Sequence, residues 1–297
     1  MPYINLLLVI IILSCLGCAK TADYEIVEAQ SGTPLNLNEL SDVLLTYDVI
    51  FFGELHDDSL LHHIEHELYK KLIKKNKDLV LSMEMFERDN QTGLDNYIQG
   101  KSTYEQFAAN VRLWSNHETD YEPLLQLSRK YSRDVIASNV PRKYATLVAK
   151  SGEEALNAVE DDERQYFAEN LIVLNDRYKE KFYSTMSQMG RHGMPQQGGH
   201  DALLNIYKAQ CLKDDTMAES INNYLLANPG KKVLHINGDF HSRYHLGSSQ
   251  KLALLNRDLK IAVIAPVAFQ SQGTLQWQPA QSEAGDFLIL FYRTEKY

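Results

Sequence analysis

Hydrophobic residues fall along this chain in two rhythms. Short, nearly unbroken apolar runs rich in β-branched and aromatic side chains occupy 43–52, 78–86, 134–139, 232–237, 260–265 and 287–292. Such runs, lacking polar alternation, are expected of strands buried on both faces of a parallel sheet. Between the early runs the spacing changes. Leu60, Leu61, Ile64, Leu68 and Leu72 line one face of a helix predicted over 57–75, and 121–132 is helical as well. Strand, helix, strand, helix, strand is the signature of a sheet wound with helices. From 144 to 228 only helical spacing remains. One long helix is predicted over 160–189 through Phe167, Leu171, Leu174, Tyr178 and Phe182, and another over 202–227, stopped by Pro229 and Gly230. The predicted fold is α/β: a mostly parallel β-sheet flanked by helices (24–142 and 229–297) with an inserted all-helical subdomain (143–228).

The first residues follow neither rhythm. Leu6 to Leu13 form an apolar run too short to cross a bilayer, and Ser14-Cys15-Leu16-Gly17-Cys18-Ala19 follows it. This reads as a signal peptide (1–17) ending in a bacterial lipobox with Cys18 as the lipidated residue. Cys15 is the alternative, and an uncleaved anchor the other. The expected location is the bacterial cell envelope, lipid-anchored at the outer membrane, since Ala19 and not Asp follows Cys18. Of the three cysteines only Cys211 lies in a helical stripe, where an inert buried thiol is expected. A hydrophobic share of 44% suits a packed protein, and a net charge of -9 argues against a nucleic-acid partner.

Two of the apolar runs end alike. Val49 to Phe52 leads into Gly53-Glu54-Leu55-His56, and Val233 to Asn237 into Gly238-Asp239-Phe240-His241. Ligands of parallel sheets gather at the carboxyl ends of strands, so Glu54, His56, Asp239 and His241 are expected at one edge. Glu and His together can ligate a metal or share a proton, or else cap the following helix. Glu84, among the apolar residues of 81–86, needs a partner, either Arg142 in an ion pair or a reacting group. His62-His63-Ile64-Glu65-His66 matches the inverted zinc motif, but His62 and His66 are expected on a solvated helix face. Seventeen tyrosines are present, several in the helical stretch. Tyr178 and Tyr183 suit an amphipathic core, and a tyrosinate can also ligate haem iron. His192 and His200 flank a Gly- and Gln-rich connection. No Walker loop, dinucleotide fingerprint or Ser elbow occurs.

The lipobox, Gly53-Glu54-Leu55-His56, Ser82-Met83-Glu84-Met85-Phe86, Ser138-Asn139-Val140-Pro141-Arg142, Ala209-Gln210 with Asp215-Thr216-Met217-Ala218, and Asn237-Gly238-Asp239-Phe240-His241 follow one another in an order that resembles the ChaN-like haem-binding lipoproteins, relatives of the Tiki, TraB and erythromycin-esterase-like proteins. The resemblance spans about 38–265, and Asp239 departs from the Asn or Gly expected there. It implies haem as cofactor, bound at a homodimer interface that forms with the ligand, iron held by a Tyr of one subunit and propionates by His and Lys of the other. Tyr178, Tyr183, His192 and His200 are the candidates for those contacts, and an outer-membrane haem receptor is the implied partner. The alternative is a metal-dependent hydrolase. In it Glu54, His56, Glu84 and His241 are catalytic, and Glu54, His56 and His241 hold a divalent metal.

Overall fold

In the computed structural model, which describes residues 23–190, 200–270 and 274–293, all six apolar runs become strands of one eight-stranded sheet. The chain opens with an antiparallel edge, β1 (Tyr24–Glu28) and β2 (Pro34–Leu35), followed by helix α1 (Leu37–Leu44). Then come β3 (Val49–Glu54), α2 (Ser59–Lys75), β4 (Leu79–Glu87), α3 (Gln91–Ile98), α4 (Tyr104–Asn110), α5 (Glu122–Tyr131), β5 (Val135–Asn139) and α6 (Arg142–Ser151). The long helices α7 (Arg177–Gly190) and α8 (His200–Ala227) precede β6 (Lys232–Gly238), α9 (Gly247–Leu255), β7 (Ile261–Phe269) and β8 (Phe287–Tyr292). The order across the sheet is β2-β1-β8-β7-β3-β6-β4-β5, parallel from β8 to β5.

Successive side chains of a strand point to opposite faces, and here both faces are dry. Ile50 and Phe52 pack under α2 through Leu61, Ile64, Leu68 and Leu72. Val49 and Phe51 face Ala218 and Ile221 of α8 and Leu252 of α9 on the other side. The unbroken apolar run of β3 is the consequence of this two-sided burial. Residues 143–228 contain no strand among those described, and α8 is shared between layers. Its C-terminal half lies on the sheet, and its N-terminal half packs against α6 and α7.

Two predicted elements differ. The run over 43–52 is not one strand. Asn36 and Glu39 form a reciprocal capping box that starts α1, which ends at Leu44, and Val43 faces solvent at 40% exposure. The helix predicted over 160–189 exists only from Arg177. A 3₁₀ turn, Asp161–Tyr166, precedes an irregular strip whose backbone amides are taken by side chains of α8. Ala168 N donates to Thr216 Oγ1 at 3.1 Å, Glu169 N to Glu219 at 2.9 Å and Ile172 N to Asp215 Oδ2 at 2.8 Å. Those bonds replace the helical ladder that apolar spacing alone suggested.

Asp215 also anchors α9. Lys251, only 1% exposed, sets its ammonium 3.1 Å from Asp215 and donates to the carbonyl of Ile172. Removing one partner of a buried pair strands the other charge. Lys251→Met is expected to destabilise the protein by about 3–5 kcal/mol in urea unfolding. Adding Asp215→Leu should recover only part of this, because Ile172 N then loses its acceptor.

Candidate functional site

Neighbouring strands β3 and β6 send their next helices to opposite faces, α2 to one and α9 to the other. A crevice opens where parallel strands diverge in this way, at their carboxyl ends. Glu54 ends β3 and Gly238 ends β6, and the two are paired in register. Gly238 is required here: a Cβ on it would lie 2.7 Å from His56 Nε2.

Glu54 is 1% exposed and fully engaged on one oxygen. Its Oε1 accepts from His56 Nδ1 at 2.7 Å and from the Tyr121 hydroxyl at 2.7 Å. Its Oε2 lies 3.3 Å from Nδ1 of His62. Burial opposes ionisation, but these donors hold the carboxyl at about 2, below the usual 4.5. Tyr121 comes from a single π-helical turn, His117–Tyr121, and Trp114 just before it sets its ring edge-on to His56 at 4.8 Å. His62 is not on a solvated face. It is 5% exposed, its Nε2 donates to the His56 carbonyl at 3.2 Å, and Glu65 beside it is wholly buried. The prediction failed because α2 is covered on a second side, where the ring of Tyr121 meets His62 at 5.3 Å. His66 does stay partly exposed, against Glu67.

Glu84 takes a different partner from the one expected. Glu84 lies within a register shift of β4 against β5, between Met83 and Glu87. Its Oε2 accepts from Gly238 N at 2.8 Å and its Oε1 lies 3.3 Å from His241 Nε2. Arg142 does not pair with it and lines the adjoining cavity instead. His241 Nδ1 donates at 2.7 Å to Asp214 Oδ1, which also accepts from Ser248 at 2.8 Å. Tyr178 caps the network, its hydroxyl donating to Asp214 Oδ2 at 2.7 Å. Asp214 and Ser248 were not anticipated. The one available signal was the placement of polar residues within the apolar stripe of α8.

Of the expected metal set, Glu54 and His56 meet through Nδ1 of the histidine, while His241 sets Nδ1 against Asp214 and Nε2 against Glu84. Among the described residues, the donors that do gather within 4.8 Å are those of Glu54, His62 and Glu65.

Two cavities open from the strand ends and share His56 and His241 as a partition. One, of about 800 Å³, is lined by Glu84, Trp114, Arg112, Arg142 and Lys213. The other, of about 690 Å³, lies under α7 and is walled by Leu55, Phe240, Leu246, Lys181 and Tyr244. Tyr178 borders the second cavity with its hydroxyl committed to Asp214. The Tyr183 hydroxyl is enclosed without a hydrogen-bond partner, and its ring packs near Lys179. His200 is the first residue of α8, and His192 and Cys18 lie outside the described residues. Tyr244 was missed by sequence reasoning. It and His245 hold left-handed φ values of 65° and 55°, costly for non-glycine residues. Lys181 sits 3.7 Å from the Tyr244 ring centre, Arg177 4.8 Å and Arg243 5.2 Å. Burial resists ionisation of this phenol, yet Arg243 and Lys181 outweigh it and lower its pKa.

His241 gives the site a pH signature. Burial opposes its charge, but Glu84 and Asp214 raise it from 6.5 to about 10. A folded value above the unfolded one stabilises fully below pH 6.5 and fades as the pH rises through 10. Glu54 works in the opposite sense, its contribution lost as pH falls from 4.5 toward 2. The thermal midpoint should therefore decline on the alkaline side between those two His241 values, and His241→Gln should lower it near neutrality and flatten that decline. An unchanged slope would remove His241 as its source.

Residues 40–252 match the family described as haem-binding uptake, Tiki superfamily, ChaN. No curated protein sequence matches the chain. Among solved structures, ChaN of Campylobacter jejuni, determined for cofacial heme binding, is similar with a TM-score of 0.67 at 17% identity, covering 91% of this chain and 97% of that one. An erythromycin esterase mutant, EreC in its open conformation, reaches 0.46 at 11% identity over 83% of this chain and 77% of its own. RRSP, a MARTX toxin effector domain from Vibrio vulnificus, reaches 0.45 at 14% identity, covering 88% of this chain and 40% of that one. With the profile covering well over half its length, the chain belongs to the haem-binding uptake family of the Tiki superfamily, that of ChaN.

Proposed function

We propose that this protein binds haem as cargo in the cavity beneath α7, as part of haem or iron uptake, with Tyr244 as the iron ligand. The observation that carries this reading is a partly exposed phenol, lowered in pKa, ringed by Arg177, Lys181 and Arg243 on the wall of a cavity that Leu55, Phe240 and Leu246 also line. Those features match the chemistry of haem. Ferric iron takes a tyrosinate as axial ligand, the macrocycle prefers apolar walls such as Leu55, Phe240 and Leu246, and two propionates call for cations. The strained backbone at Tyr244 and His245 is consistent with a residue held for binding and not for stability. Tyr178 is a weaker candidate because Asp214 and burial hold its proton. Tyr183 remains the second choice.

The wider assignment follows the family. A second copy of the chain, closing over the exposed face of the haem, would complete the site. Cofacial binding in the Campylobacter jejuni relative supports that arrangement. Lipidation at Cys18, an outer-membrane tether and a haem receptor as donor or acceptor complete the proposal, supported by the lipobox.

A second reading rests on His56. Glu54 holds its Nδ1, so Nε2 faces the crevice beside Gly238 as a general base would. The cations Arg112, Arg142 and Lys213 around the larger cavity suit an anionic ester or amide. Hydrolysis of such a substrate should vanish with His56→Ala.

Haem titration of the purified protein should give a tyrosinate charge-transfer band and a shift to dimer. Tyr244→Phe should abolish the band and weaken binding by about tenfold or more, one tenfold step being about 1.4 kcal/mol. Retention of both band and affinity in Tyr244→Phe, with their loss in Tyr183→Phe, would move the ligand to Tyr183.

A further inference from the structure

We propose a second, buried metal site, independent of haem, in which Glu54, His62 and Glu65 bind one divalent first-row transition ion such as Zn²⁺ or Mn²⁺. The three side chains meet between the end of β3 and the first turns of α2. His62 and Glu65, three residues apart, share one helix face, which brings both to the Oε2 edge of Glu54.

Two of the three donor separations are close to those of a coordination shell. His62 Nδ1 stands 3.3 Å from Glu54 Oε2 and 3.7 Å from Glu65 Oε2, and all three donors fall within 4.8 Å of one another. Ligands bound to zinc at about 2.0–2.2 Å in a tetrahedron are separated by about 3.4 Å. Direct hydrogen bonds would be shorter, and none is made: Glu54 Oε2, His62 Nδ1 and both oxygens of Glu65 are enclosed without a hydrogen-bond partner. Glu65 is 0% exposed. A wholly buried carboxylate with neither oxygen paired is a costly arrangement, and it needs an occupant.

The surroundings prepare these atoms for a cation. His62 Nε2 lies 3.2 Å from the His56 carbonyl and 3.6 Å from Asp120, contacts that can keep a proton there, and Nδ1 faces the two carboxylates, so that a bound metal would take the place of the Nδ1 proton. Metal-bound histidines are fixed by the same kind of backbone contact through the other nitrogen. Tyr121 and His56 occupy Glu54 Oε1 and turn Oε2 inward. Charge points the same way. A divalent ion with neutral His62 balances both carboxylates, in place of the protons that would otherwise neutralise the cluster. Two carboxylates with one imidazole suit borderline ions of the first row, not calcium, which takes six to eight oxygens. The third member of the inverted zinc motif, His66, takes no part, being half-buried and paired with Glu67.

The test uses the haem-free protein, stripped with chelator and titrated with Zn²⁺ and with Mn²⁺, followed by metal analysis and thermal midpoint. The expected result is one ion per chain and a raised midpoint. Glu65→Gln and His62→Gln should bind at least about tenfold more weakly, while His66→Ala binds as the parent does. Haem affinity of the Glu65→Gln protein reports that it is folded and separates this outcome from failure of the haem reading. Absence of uptake and of any midpoint shift in the parent would show the cluster to be closed by a shared proton, and the proposal would fall. Undiminished binding in both Glu65→Gln and His62→Gln would overturn it as well.

Discussion

Two carboxylates buried toward the carboxyl ends of β3 and β4, on either side of β6, are the demand around which the rest of this molecule is organised. Glu54 and Glu84 lie at 1% and 4% exposure, where an unpaired anion is not tolerated. Each therefore recruits a histidine and a further donor, and each donor arrives from a different element. The π-helical turn supplies Tyr121, the turn after β3 supplies His56, the end of β6 supplies the Gly238 amide and the short turn after it supplies His241. Electrostatics in this way dictates how the helices meet above the strand ends. The hydrophobic faces of the sheet determine only which layer each helix joins.

The sequence made the sheet legible and much less of what crowns it. Strands β3 to β8 could be read because two-sided burial leaves an unbroken apolar run, a signal independent of distant partners. The 167–176 strip could not. Its apolar residues fall at helical spacing, but its amides are claimed by Thr216, Glu219 and Asp215, which are remote in sequence. The same holds at the site. Gly53-Glu54-Leu55-His56 and Gly238-Asp239-Phe240-His241 announced the strand ends, and Glu84 announced its need of a partner. Periodicity placed His62 in solvent because it describes one face of α2 and carries no information about a second covering layer. Asp214 hides in an apolar helix stripe, and Tyr244 owes its lowered pKa to Arg243, beside it in sequence, and to Lys181, which only the fold brings near.

The two histidines of the crevice differ in what they can do. His241, held between Glu84 and Asp214, is a fixed positive charge that braces α8 against β6. His56 retains one nitrogen free of carboxylates and borders both cavities. The division into a structural cation and an available imidazole follows from the number of acids each one meets.

The wall shared by the two cavities ties their contents together thermodynamically. A guest that shifts the orientation or protonation of His56 from one chamber alters how well the other chamber holds its own guest, and reciprocity obliges the second to act back on the first with equal strength. A single imidazole edge is thus enough to let loading on one side be sensed on the other, without any movement of the β-sheet beneath.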